Sequence, residues 1–200
     1  MTGRVVRLPL WGLTTRELVG ATAHLSFLDL VGEHGIDLRP PDDAPDLRGY
    51  VDFILRSGFP SAALADNDRS RRRFLSSYVD EIVNRDLGLG GGRPTPVKVR
   101  RYLRAIAANT AGTVAHKTLY DAAGIERATA VVYDDLLEQL MITERLPAWS
   151  TNRLSRLSLT PKRHLVDPAF AQPLLSIDAR TVMRDGDLLG RLVESYVVAQ

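Results

Sequence analysis

Two clusters of charge carry the chemistry that this sequence offers. Residues 69–104 hold ten bases against three acids, a local balance of +7. They include Arg69, Arg71, Arg72 and Arg73, and then Lys98, Arg100, Arg101 and Arg104. Guanidinium and ammonium groups repeated along a helix are suited to phosphate. Residues 121–144 lean the other way, with six acids against Arg127 alone, a balance of −5. Asp134, Asp135 and Glu138 there suit a basic partner. Arg85 and Asp86 stand side by side at the end of a helix, as an ion pair or cap would.

Other chemistries lack their residues. The chain has no cysteine, which removes disulfides, thiolate metal sites and thiol nucleophiles. The four histidines, His24, His34, His116 and His164, are far apart and form no i, i+4 pair, so a metal site is not expected. No serine lies in a G-x-S-x-G elbow. The glycine-rich run LGLGGGRPTP (87–96) continues into Arg93-Pro94. A phosphate loop needs Lys and then Ser or Thr at that point. The run therefore reads as a linker.

The chain as a whole has 200 residues and a formal net charge of +2, so it is not uniformly basic. Hydrophobic residues make up 44% and charged residues 25%, the proportions of a globular chain. No apolar run reaches the roughly 20 residues of a membrane span, and the N-terminus lacks a signal peptide's apolar core. A cytoplasmic protein without membrane contact is expected.

The expected class is mainly α (α+β). Arg4 to Leu10 reads as a short β-like stretch. Thr14 and Glu17 form a capping box that starts a helix near Thr15. An apolar helical stretch follows through Leu25, Leu28 and Val31, and residues 36–46 read as a loop. Residues 47–57 read as a helix with Tyr50, Val51, Ile54 and Leu55 inward. From Arg69 to Asp86 a stripe of Phe74, Leu75, Tyr78, Val79, Ile82 and Val83 marks the clearest helix.

Residues 97–146 read as three helices and a hairpin. The first, Val97 to Asn109, turns Val99, Tyr102, Leu103 and Ile106 inward. The second, Thr118 to Ala123, pairs Leu119 with Ala122. Gly124 makes the turn. The third, Glu126 to Leu140, buries Thr129, Val132, Tyr133, Leu136, Leu137 and Leu140, and exposes Asp134, Asp135 and Glu138. Two helices around a Gly turn are a helix-turn-helix signature. Met141-Ile142-Thr143 and Leu157–Leu159 would supply wing strands. The acidic third helix is a poor match to a phosphate-lined groove. Lys98, Arg100, Arg101, Arg104 and Arg127 are therefore the candidate nucleic-acid residues.

Several segments together resemble the C-terminal part of prokaryotic AAA-type ATPases, in which a winged helix and a restriction-nuclease-like tail of unknown function follow the ATPase core. They are Gly3-Arg4 with Leu8-Pro9-Leu10 and Glu17-Leu18, Ser57-Gly58-Phe59-Pro60, Tyr78 through Arg85-Asp86, Tyr133 with Leu136-Leu137, and Leu146 to Ser150. Lys162 with Leu165 to Pro168, and Leu189-Gly190 with Glu194 to Val197, complete the set. The resemblance spans nearly the whole chain. It implies an ATPase-core end (1–20), a helical lid or linker (21–86), the Gly/Pro linker (87–96), a winged helix (97–159) and a partial nuclease-like module (160–200). The chain then reads as truncated at both ends relative to that family.

The resemblance also implies a function. It is that of a non-catalytic C-terminal portion of an ATP-binding protein, contacting nucleic acid or protein. ATP and Mg would belong to the full-length protein, with no cofactor and no catalytic residue in this chain; Arg85, which with Asp86 resembles a recurring pair of that family, would sense the nucleotide bound there. Glu194 resembles the nuclease-like module's carboxylate, but the strands that would complete a metal site are not in the sequence. Possible partners are DNA, the ATPase core, another protein or a second copy. A stand-alone winged-helix DNA-binding regulator and a protein-interaction module are the alternatives.

Overall fold

The computed structural model describes residues 8–22, 31, 42, 44–84, 95–152, 154 and 159–200. Among these the chain is mainly helical with a single two-stranded antiparallel sheet, the mainly α (α+β) class. Arg85, the run 87–94, Leu25 and Leu28 lie outside the described residues.

The first helix, α1 (Thr15–Leu18), starts where its capping box places it. Glu17 N–H donates to Thr14 Oγ1 at 3.3 Å, and Thr14 N–H donates to the Glu17 carboxylate at 2.8 Å. The preceding stretch is not a strand where it is described: Leu8 and Leu10 are exposed in irregular chain. Helix α2 (Leu47–Arg56) is capped by Asp46, which accepts from Gly49 N–H at 2.8 Å. It buries Val51, Ile54 and Leu55. Tyr50, expected inward, is 43% exposed, at the edge of that stripe. Ser57, with φ of +77°, ends the helix.

A short turn of helix, α3 (Pro60–Ala63), leads to α4 (Asp68–Asn84). Asn67 caps α4 by accepting from Ser70 N–H at 2.9 Å. The arginine-rich first turn is partly neutralised there, because Arg71 pairs with Asp68. Leu75, Val79, Ile82 and Val83 are buried, as their spacing requires.

Three helices follow: α5 (Pro96–Ala108), α6 (His116–Ala123) and α7 (Arg127–Gln139). Gly124, at φ +66°, adopts the left-handed conformation that closes α6 and turns the chain into α7. The inward set of α5 is the expected one: Val99, Tyr102, Leu103 and Ile106 are at most 1% exposed. Two details differ further on. Ala123, not Ala122, joins Leu119 in the core. On α7 the buried residues are Ala130, Tyr133, Asp134 and Leu137, while Val132 is 54% exposed.

Strand β1 (Thr143–Leu146) pairs antiparallel with β2 (Lys162–Leu165), with Thr143 opposite Leu165 and Glu144 opposite His164. This corrects the expected wing. Met141 has φ +55° and belongs to the turn before β1. Leu159 lies outside any strand. The second strand is the segment assigned from the sequence to the opening of a nuclease-like module. Its Leu165 end is buried at 1% exposure. The Arg163 backbone C=O accepts from Ala111 N–H at 2.7 Å, and so ties β2 to the end of α5.

After β2, Asp167 caps a single 3-10 turn (Pro168–Phe170), followed by α8 (Ala171–Leu175), α9 (Ala179–Arg184) and α10 (Gly186–Val198). One hydrophobic cluster runs from Val51 through α4, α5 and α7 to Leu174, Val182 and Leu192. It draws on residues from all three segments 21–86, 97–159 and 160–200. Tyr78 stacks on Phe170 at 5.6 Å between ring centroids, joining α4 to the 3-10 turn. Among the described residues no helix is long and apolar enough to cross a membrane.

Candidate nucleic-acid interface

Helix α5 sorts its cations by rotation. Burying Val99, Tyr102, Leu103 and Ile106 leaves Lys98, Arg101 and Arg104, at three-residue steps, on one exposed side. None of the three forms an ion pair with another described residue. Arg100 is turned toward α4, where it donates to the Asp80 carboxylate. Arg127 is exposed in the first turn of α7. The structure thus groups three of the five sequence-predicted cations, commits Arg100 to an interhelical pair and keeps Arg127 on a separate helix. Arg85, the predicted nucleotide sensor, lies outside the described residues.

The acidic side changes most. Asp134, read from the sequence as exposed, is 3% exposed. It accepts from Tyr102 Oη–H at 2.6 Å and from Arg163 Nη2–H at 3.0 Å. His116 Nε2 lies 2.8 Å from Tyr102 Oη and 3.2 Å from the Asp134 carboxylate. The tyrosine proton goes to Asp134, so the imidazole proton sits on Nε2, facing two acceptors. Burial, reinforced by Asp134, pushes the Tyr102 phenol far above its ordinary range. Burial also lowers His116, outweighing the pull of Asp134. Arg163 Nε has no partner in this cluster.

The remaining acids of α7 are also engaged. Arg145 of β1 grips Glu138 with two nitrogens, Nη2 to Oε2 at 2.5 Å, and reaches Asp135 at 3.2 Å. Those bonds hold the Arg145 guanidinium charged above its ordinary range. The docking face of Asp134, Asp135 and Glu138 expected from the sequence therefore does not exist as a free acidic surface. The three acids of α7 are paired by Arg145 and Arg163, which follow in β1 and β2 and offset two of the five excess negative charges of residues 121–144.

Glu194, the carboxylate of the nuclease-like reading, and Asp167 both serve structural roles. Glu194 pairs with Lys162. Asp167, 5% exposed, accepts from Ser57 Oγ–H at 2.5 Å, Gly58 N–H at 2.9 Å and Ala169 N–H at 2.9 Å. Burial raises its pKa against the pull of those donors. It pins the end of α2 to the 3-10 turn. Among the described residues no group of three or more His, Asp or Glu is arranged to hold a metal.

Sequence reasoning missed the Tyr102–His116–Asp134–Arg163 cluster, because its members lie 14 to 61 positions apart. One signal was available: Asp134 stands four residues after Ala130 and three before Leu137, on the apolar stripe itself. A carboxylate on such a stripe needs a buried cation.

A family model described as a domain of unknown function, DUF8612, matches residues 47–181. The chain belongs to that family. The DUF8612 match begins at the first residue of α2 and ends within α9, so it contains the shared core, the α5 face and the Asp134 cluster. No curated protein and no solved structure matches the chain.

Proposed function

We propose that this DUF8612 chain is a non-catalytic contact module whose α5 face binds nucleic-acid phosphates without reading sequence. The observation that carries the reading is the trio Lys98, Arg101 and Arg104, exposed on one side of α5 with no carboxylate partner among the described residues. Two further features support it. The order of three helices and a hairpin, with the Gly124 turn between α6 and α7, resembles a winged helix-turn-helix. The three acids of α7 are paired with Arg145 and Arg163, so they repel a phosphate backbone less than the bare sequence suggests.

On this reading the module serves a larger AAA-type ATP-binding protein, and ATP and Mg act in a core carried elsewhere. Base reading is not proposed. The exposed face of α7 offers Val131, Val132 and Asp135 beside Arg127, with little hydrogen-bonding capacity for base edges. Val131 and Val132 favour one alternative, a protein contact through α7.

Duplex DNA titrations at several salt concentrations test the proposal. Three phosphate contacts give a log–log salt slope of roughly −2 to −3. Arg101→Glu with Arg104→Glu should abolish binding while leaving the melting curve intact, since both side chains are exposed. Undiminished binding by that double variant overturns the assignment. Loss of binding on Val132→Asp alone would favour the α7 contact.

A further inference from the structure

Between the N-terminal segment, the α2–α3 corner, the hairpin and the end of α10 lies a cavity of about 740 Å³. That is within the size range of small-molecule sites. Its wall is mostly apolar, with Trp11, Leu13, Leu146 and Tyr196 among the lining residues. The segment that closes one side is fastened: Leu13 N–H donates to Gly58 C=O at 2.7 Å, and Thr15 N–H donates to Gln200 Oε1 at 2.7 Å.

Two polar residues of the wall set its chemistry. His164 is 1% exposed, and its Nε2 has no hydrogen-bond partner. Buried polar atoms without partners are rare, and each calls for a cause. The other ring nitrogen is accounted for by a chain of hydroxyls. Leu165 N–H donates to Thr110 Oγ1 at 3.0 Å, Thr110 Oγ1 lies 2.7 Å from Ser195 Oγ, and Ser195 Oγ lies 3.2 Å from His164 Nδ1. Among the described residues the Thr110 hydroxyl has one acceptor for its proton, Ser195 Oγ. The Ser195 proton then goes to Nδ1, which is therefore bare. Burial keeps the ring neutral, against the opposing pulls of Glu194 and Glu144 and with the help of Lys162. The ring's proton thus sits on Nε2, as a donor with nothing to donate to.

Glu144 is the second polar residue. It stands directly opposite His164 in the sheet register, on the same face of the hairpin, and lines the same cavity. It forms no ion pair with another described residue. Its carboxylate disfavours an anion beside His164.

We propose that this cavity binds a neutral, largely apolar small molecule carrying one oxygen acceptor, such as a ketone, amide or ester carbonyl, to which His164 Nε2, covered in the cavity wall, donates once the ring turns toward it. The inference is independent of the phosphate reading: Arg101→Glu with Arg104→Glu should leave it untouched.

The test uses the full chain and Nile red, a neutral apolar dye with one carbonyl. Saturable binding of one dye per chain with a raised melting temperature is expected, and at least tenfold weaker binding by His164→Phe, which keeps ring volume and removes the donor. Glu144→Gln should admit the anionic dye anilinonaphthalene sulfonate at least tenfold better than wild type. Absence of saturable Nile red binding overturns the proposal, as does unchanged affinity in a folded His164→Phe chain. If that variant does not fold, nitrogen NMR of wild-type histidines decides: a protonated Nε2 on His164 whose signal moves with dye is expected. A protonated Nδ1, or a signal that does not move, overturns the assignment.

Discussion

Helices α5 and α7 look like opposites in sequence and turn out to be opposites of another kind in space. Along the chain, α5 carries excess cations and α7 excess acids. In the fold the acids of α7 are all matched, Asp134 in the interior by Arg163 and Asp135 with Glu138 at the surface by Arg145. Three cations of α5 remain unmatched among the described residues. Local charge counts predict the sign of a region only when the partners are also local. Here the neutralising arginines come from a hairpin that the count over 121–144 does not reach.

The buried half of that comparison should give the largest effect. Removing Arg163 leaves Asp134 charged and uncompensated, so Arg163→Ala should cost about 3–5 kcal/mol in urea unfolding. Asp134→Ala should cost a similar amount. Replacing both partners, as Asp134→Leu with Arg163→Met, should recover most of that loss, because desolvation of the pair offsets much of its attraction. A double variant no better than either single one would mean that Tyr102 and His116 hold the cluster together without the ion pair.

Acid should act next most strongly. His116 and His164 both have pKa values lowered below 6.5 by burial. Between the folded value and 6.5 the unfolded chain binds more protons than the folded one. Their contribution is therefore fully present above pH 6.5 and is lost as pH falls below it. The raised pKa of Asp167 acts in the opposite sense, favouring the folded chain as that carboxyl protonates above its ordinary 3.8. Thermal melts between about pH 7 and 5 should show falling stability, with a shallower slope in His116→Gln. An unchanged slope would show that His116 takes up its proton alike in both states, with no net lowering by burial.

Much of the helical frame is legible in the sequence because its signals are local. The Thr14–Glu17 box, the Leu75–Val79–Ile82–Val83 stripe and the Gly124 turn each sit within a few residues, and each appears where expected. What fails depends on pairing over distance. The sequence points to Leu157–Leu159 for the second strand, but Leu165 offers a buried anchor that Leu159, 45% exposed, does not. The apolar stripe marks Asp134 as needing a partner, but nothing nearby in sequence names Arg163, 29 positions away. The α5 site is half legible: the apolar stripe orients Lys98, Arg101 and Arg104, but nothing near Arg100 points to Asp80, 20 positions earlier.

The surface half of the comparison predicts the smallest effects and the sharpest test of the proposed interface. Asp135→Asn with Glu138→Gln should change stability by no more than about 1 kcal/mol, since these are surface pairs. If phosphates are bound nearby, the same change frees Arg145 and removes two carboxylates, so DNA affinity should rise several-fold at low salt and the gain should fade as salt screens it. Lys98→Ala should do the reverse, lowering the salt slope by about one contact without altering sequence preference. The two measurements constrain each other. A rise on freeing Arg145 without a fall on removing Lys98 would move the interface from α5 to the hairpin, where Arg145 itself would be the phosphate contact and its present carboxylates the groups that phosphate displaces.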